Sequence, residues 1–210
     1  MTTDPVRIVM QLLLLIVAIT IHEFAHAISA DKLGDPTPRS QGRISINPVD
    51  HLDPLGTLLM VISSVTGIGF GWGKPVMTNP RNFKHPVRDT MIVAACGPIS
   101  NVLQALFFAG LIQFNYAHPT WEEFGPADVL FQLGIHVNLW LALFNMIPIP
   151  PLDGSKILYA LLPPEAADNY DRTMRSIGLI LFVILISSHA TSYILGPQEE
   201  AAFHFLADYR

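Results

Sequence analysis

Between Val6 and Ala30 the sequence runs almost free of charge, and set into this apolar stretch are His22, Glu23 and His26. About 25 such residues suffice to cross a bilayer with some tilt, and no other feature constrains the chain as strongly. Ionisable groups at membrane depth are costly unless they bind or react with something. These three form an HExxH motif. On a helix, positions i and i+4 lie about 40° apart around the axis and one turn along, so His22 and His26 face the same way. Two imidazoles so placed can each give one nitrogen to a single zinc ion. Glu23 stands beside the first of them, where its carboxylate can take a proton from water. At about 1.5 Å per residue, His22 lies about 24 Å from Val6, towards the far end of the span. The alternative is a chance recurrence of the pattern, and the apolar setting weighs against it.

The same stretch imitates a secretory signal, with Ile8 to Ile21 as its apolar region and Ala25-His26-Ala27 as a cleavage site. Cleavage there would discard the motif, and Arg7 is offset by Asp4, so a transmembrane helix is the better expectation. Composition agrees. Of 210 residues half are hydrophobic and only 14% are charged, and the mean hydropathy is +0.41. This points to a single integral-membrane domain over residues 1–210. A formal net charge of −5 without any basic cluster gives no support to a nucleic-acid partner. The single cysteine, Cys96, excludes an internal disulfide or a cysteine-based zinc finger and reads as a small buried side chain.

After the first helix, Asp31 to Asp53 is polar and turn-rich, and Gly42 to Ile46 alternates as a short strand would. Leu55 to Phe70 is apolar but broken by Gly56, Gly67 and Gly69, marginal in length for a crossing. Residues 71–90 carry turn residues and Lys74, Arg81, Lys84 and Arg88. A second helix is predicted over Asp89 to Asn115, holding Gly97-Pro98-Ile99-Ser100-Asn101. A proline kink and a close helix contact account for Gly97 and Pro98, but an amide such as Asn101 needs a partner at this depth. An acidic loop with Glu122, Glu123 and Asp128 leads to a third helix, Val129 to Ile147. Pro148, Pro150 and Pro151 cannot continue it, so the chain should become extended, with Asp153 following directly. A last apolar helix, about Arg175 to Leu195, precedes an acidic tail from Gln198-Glu199-Glu200. The fold class expected is an all-α polytopic membrane protein. It has about four transmembrane helices, plus a re-entrant or membrane-surface element with a short hairpin-like segment.

Basic residues mark the cytoplasmic side. Lys32, Arg39 and Arg43, the four of segment 71–90, and Lys156, Arg172 and Arg175 share one side only if Leu55 to Phe70 does not cross. The N-terminus is then outside and the motif end of the first helix near the cytoplasm. A full crossing would also put Asp153 on the opposite face from His22 and His26. Catalytic zinc usually has three protein ligands and one open position, and Asp153 is the best third candidate. Its alternative is the turn residue of an Asp-Gly pair.

These residues together resemble the site-2 proteases, a family of intramembrane zinc metalloproteases. The resemblance rests on His22-Glu23-Phe24-Ala25-His26, on Gly97 to Asn101, and on Asn145, Pro148, Pro150 and Leu152-Asp153-Gly154, in the family's order. It spans roughly residues 10–160. HExxH alone is weak; joined to N-x-x-P-x-P-x-L-D-G on a later membrane helix, it is specific. The resemblance implies one zinc per chain on His22, His26 and Asp153, with Glu23 as general base. It also implies that Asn145 and Asn101 contact the substrate backbone or the oxyanion. It places the catalytic core at about 6–160 and implies substrates that are transmembrane proteins or peptides, cut within the bilayer of the plasma membrane. Asn47 to Pro54 looks like a segment of compact bacterial and archaeal members, in which His51 is either a neighbour of the site or a loop histidine. No apolar span precedes the motif helix, and no inserted PDZ domain or C-terminal CBS domain is expected. A rival class is a membrane zinc transporter or regulator without hydrolysis. A second polar cluster along the membrane path would favour it, and none is present. A silent scaffold would have no use for Glu23. No feature sets an oligomeric state.

Overall fold

The computed structural model describes residues 4–66, 71–117, 125–188 and 190–207, and the regular elements among them are helices. Helix α1 (Pro5–Lys32) opens where Asp4 accepts a hydrogen bond from the Val6 N–H, with Pro5 in the first turn, where no N–H is needed. Val6, Val9, Leu13 and Val17 form its exposed stripe, while Leu14, Ala18, His22, His26 and Ala30 recur every four residues on the buried side. Helix α4 (Pro86–Ala117) answers with Asp89, Val93, Gly97, Asn101, Ala105 and Ala109, also every fourth residue and all buried. Ridges of this spacing fit each other's grooves, and small residues bring the axes close. The helices run antiparallel: Ala30 packs with Val93, Gly97 lies against both imidazoles, and Asn101 meets His22 and Ala18.

Helix α5 (Pro126–Asn145) completes the bundle, placing Leu133 and Val137 on α1 and Ile135 and Leu139 on α4. Among the described residues, α1, α4 and α5 are long and apolar enough to cross a membrane. Exposed Leu103, Leu106 and Phe107 on α4 give them a lipid-facing surface. The chain is an all-α polytopic membrane protein.

Between α1 and α4 lie the single turn α2 (Thr37–Ser40) and helix α3 (Pro54–Thr66). With 13 residues, α3 is about 20 Å long, short of the roughly 30 Å of a hydrocarbon core. Antiparallel α1 and α4 likewise leave no place for a crossing between them, in line with a re-entrant or surface element. Of the hairpin-like segment, one isolated antiparallel bridge, Leu52 to Gly73, is found among the described residues, and residues 67–70 lie outside them. The strand expected at Gly42 to Ile46 does not form. Gly42 turns at φ 68°, and Arg43 is buried, donating to the Lys74 carbonyl and approaching His51 Nδ1 at 3.4 Å. The Ser45 carbonyl accepts from His51 Nε2 at 2.6 Å. The alternation there records a buried arginine clip.

Two further expectations are corrected. The proline segment is folded back in turns where an extended chain was expected. Ile147, Ile149 and Leu152 keep their N–H groups, which close bonds to the carbonyls of Phe144 (3.2 Å), Ile147 (2.8 Å) and Ile149 (3.0 Å). The turns deliver Asp153 as the first residue of a helix, α6 (Asp153–Leu161). The single C-terminal helix at Arg175 to Leu195 is in fact two. α7 (Pro164–Ser187) starts earlier, and α8 (Ala190–Ala207) follows at 70° to it. Pro197 lies inside α8, so Gln198-Glu199-Glu200, expected to begin a tail, are helical. Glu199 pairs with His136 of α5, and Phe203 stacks on that imidazole with ring centres 4.0 Å apart.

Candidate metal centre

Three side chains from two distant parts of the sequence converge at one point. His22 Nε2 and His26 Nε2 of α1 are 3.0 Å apart, and Asp153 Oδ2 of α6 is 3.2 Å from the first and 3.1 Å from the second. All three residues are buried, and among the described residues theirs is the one cluster of potential metal ligands. The other ring nitrogens fix the tautomers. His22 Nδ1 donates to Asn101 Oδ1 at 2.6 Å, and His26 Nδ1 donates to the Val93 carbonyl at 2.7 Å. With the hydrogens on Nδ1, both Nε2 lone pairs point at the carboxylate oxygen. Three lone pairs facing one another require a cation or a proton between them. Tetrahedral zinc, bonded at about 2.0–2.1 Å, sets its ligands about 3.3 Å apart. The observed triangle fits that face.

Two glycines make the convergence possible. A Cβ at Gly97 would lie 2.5 Å from Nε2 of both His22 and His26, so only glycine lets α4 pass behind the imidazoles. A Cβ at Gly154 would lie 2.2 Å from the Met146 carbonyl, where the proline turns close on themselves. Helix α7 braces those turns: Tyr170 Oη donates to the Pro148 carbonyl at 2.9 Å. The Lys156 ammonium, 3.4 Å from Asp153 Oδ1, favours the charged form of that carboxylate, so the third donor is an anion.

A cleft of about 100 Å³ opens onto the triangle, lined also by Glu23, Val76, Thr90, Asn145 and Lys156. Glu23 Oε2 accepts from the Val76 N–H at 2.9 Å, which fixes the carboxylate beside the metal position without making it a ligand. Asn145 lines the same cleft, and its Nδ2 donates to the Leu141 carbonyl at 3.0 Å. An amide has two such hydrogens, and this bond uses one.

Asn101, expected to contact substrate, is placed elsewhere. It is fully buried behind His22, its Oδ1 on the imidazole and its Nδ2 on Asn138 Oδ1 at 3.0 Å. An amide so committed, on the far side of the ring from the cleft, orients the His22 imidazole. His51 is a loop histidine, buried in the Arg43 clip.

Three contributors escaped the sequence reading. Asn138 could have been found by the rule that singled out Asn101, an amide at membrane depth. Lys156 Nζ, 3.4 Å from Asp153 Oδ1, is three residues on, a signal visible only once α6 is recognised as a helix. The Val76 contact is made by backbone and leaves no trace in residue type.

Residues 122–187 match the model of Peptidase family M50. The chain is 40% identical over 190 residues to the Bacillus subtilis (strain 168) protein named "Putative zinc metalloprotease YwhC", covering 89% of this chain and 84% of that one. It is 28% identical over 178 residues to "Putative zinc metalloprotease Rip2" of Mycolicibacterium smegmatis, covering 82% of this chain and 64% of the relative. A shorter match, 42% over 69 residues and 31% of each chain, is to "Putative zinc metalloprotease MJ0611" of Methanocaldococcus jannaschii. No solved structure matches the chain. The likeness to the Bacillus protein extends over most of both sequences, and by it the chain belongs to peptidase family M50, the site-2 proteases.

Proposed function

We propose that the protein is a zinc-dependent intramembrane endopeptidase that hydrolyses peptide bonds in or near transmembrane segments of other membrane proteins. The observation that carries this reading is the triangle of two imidazole nitrogens and a carboxylate oxygen with edges of 3.0–3.2 Å. It lies at the end of a membrane-length helix and opens on a cleft that also holds Glu23 and Asn145. His22, His26 and Asp153 would hold one zinc ion. When bound, zinc would polarise the scissile carbonyl and bring the pKa of water towards neutrality. Glu23 takes the proton of the attacking water and returns it to the departing amine. The second N–H of Asn145 donates to the oxygen that becomes negative in the transition state. A substrate helix must unwind locally, since its carbonyls are otherwise hydrogen-bonded. The segment before Asn79, which runs past Glu23, offers an edge for an added strand. The test is incubation of the detergent-solubilised protein and zinc with single-span membrane substrates, products being located by mass spectrometry. Cuts within or beside the apolar segment support the reading; an intact substrate panel contradicts it.

Asn145→Ala should keep zinc near wild-type occupancy and lower turnover by about 10²–10³-fold, as loss of an oxyanion donor does elsewhere. Unchanged turnover would leave Asn145 only its bond to Leu141.

The charge pattern supports an N-terminus outside and a cleft towards the cytoplasm. Arg43 drops out of the count because it is buried, but Lys32, Arg39, Lys74, Arg81, Lys84 and Arg88 are exposed. In a Cys96→Ala background, a cysteine at Lys84 should be labelled from the cytoplasmic side and one at Pro126 from outside. Labelling of both from one side would rule out this arrangement.

A further inference from the structure

Two buried amides stand in line behind His22. Asn101 of α4 and Asn138 of α5 are 0% and 1% exposed, and each is within hydrogen-bonding distance of the other. The line starts at a backbone carbonyl, that of Gly134, which can only accept; it takes a bond from Asn138 Nδ2 at 2.9 Å. Asn138 is thereby left with Oδ1 facing Asn101, from whose Nδ2 it accepts at 3.0 Å. The Ala18 carbonyl, 3.4 Å from the same Nδ2, is a second acceptor on that side. Asn101 must then turn Oδ1 to His22, where it accepts from Nδ1 at 2.6 Å.

The alternative orientation has a specific consequence. With its amide turned over, Asn101 would present hydrogens to His22 Nδ1. The ring would have to carry its own hydrogen on Nε2, the atom that faces His26 and Asp153, where it could not bind a metal. The amide itself has no preference between the two orientations. The preference comes from its neighbours, and the shorter contact is with Asn138.

We propose that Asn138 is a positioning residue for the metal centre. By accepting from Asn101 it holds that amide in the orientation that keeps the His22 hydrogen on Nδ1 and the lone pair on Nε2. The inference rests on His22 being a zinc ligand, as proposed above. It differs from a packing role, in which two polar side chains simply join α4 to α5.

The test is zinc affinity of the purified full chain, measured by competition with a chelator. Asn138→Leu should bind zinc about 10–100-fold more weakly, the usual cost of losing an outer partner of a ligand. An Asn101→Asp background separates positioning from packing. Both oxygens of a carboxylate accept, so no orientation remains to be chosen, and adding Asn138→Leu there should change affinity by no more than about twofold. An equal loss in both backgrounds, or none in the first, overturns the proposal. His22→Ala should itself lose zinc. If it binds as wild type, the ligand assignment fails and the inference falls with it; if it loses zinc while Asn138→Leu does not, the inference alone fails.

Discussion

A Glu23→Gln chain is expected to retain its zinc and to cleave about 10²–10⁴-fold more slowly, the range that general acid–base groups contribute. Glu23 stands outside the triangle of donors, so the exchange leaves His22, His26 and Asp153 in place. Glutamine matches glutamate in size and can still accept from the Val76 N–H, which now holds the carboxylate at 2.9 Å. What it cannot do is take a proton from water. Cleavage of a single-span substrate, followed by gel and mass spectrometry beside zinc analysis of the same preparation, checks both halves. Wild-type cleavage by this variant would leave the mechanism without its base.

Asp153→Ala should fail in a different way, losing both zinc and cleavage. Its Oδ2 is the shared corner of the triangle, 3.1–3.2 Å from both imidazoles, and the two histidines alone make an incomplete site. The loss of affinity should exceed the about 10–100-fold typical of outer-partner changes, since a donor itself is removed. Residue 153 is also the first of α6 and the neighbour of Gly154 in the tight turn. A circular-dichroism spectrum matching wild type shows that the helices survive the substitution. Full zinc occupancy in this variant would remove Asp153 from the ligand set.

Much of the site was legible because its chemistry is concentrated in residue types that a membrane helix otherwise avoids. The run from Val6 to Ala30 gave α1 within two residues at each end, and HExxH set the faces of His22 and His26 on it. The prolines marked the end of the third helix at Ile147, two residues past Asn145, where α5 ends. Asp153, the proposed third ligand, was open to a turn reading, because Asp153-Gly154 has the composition of a turn and begins a helix instead. The space there is too tight for a side chain at Gly154, whose Cβ would meet the Met146 carbonyl, a contact made by the fold. Asn101 was recognised as needing a partner but given the wrong one. Its depth was readable, whereas its position behind His22 depends on the every-fourth-residue register between α1 and α4. At the C-terminus the local signals misled outright. The last helix was expected to end at about Leu195, yet α8 runs on to Ala207, held on α5 by Phe203 and Glu199 against His136. Arg43 and His51 taught the converse: an alternating pattern can come from one buried cation closing a loop.

The most direct test of a zinc endopeptidase is to remove the metal and count it back. Purified protein stripped with a chelator should not cleave a single-span substrate. Activity should return in proportion to added zinc and level off near one ion per chain, with the product ends inside or beside the apolar segment. Cleavage that persists in metal-free protein would contradict the account. So would a fully zinc-loaded wild-type chain that exchanges its metal readily and hydrolyses nothing, the behaviour of a zinc carrier or regulator.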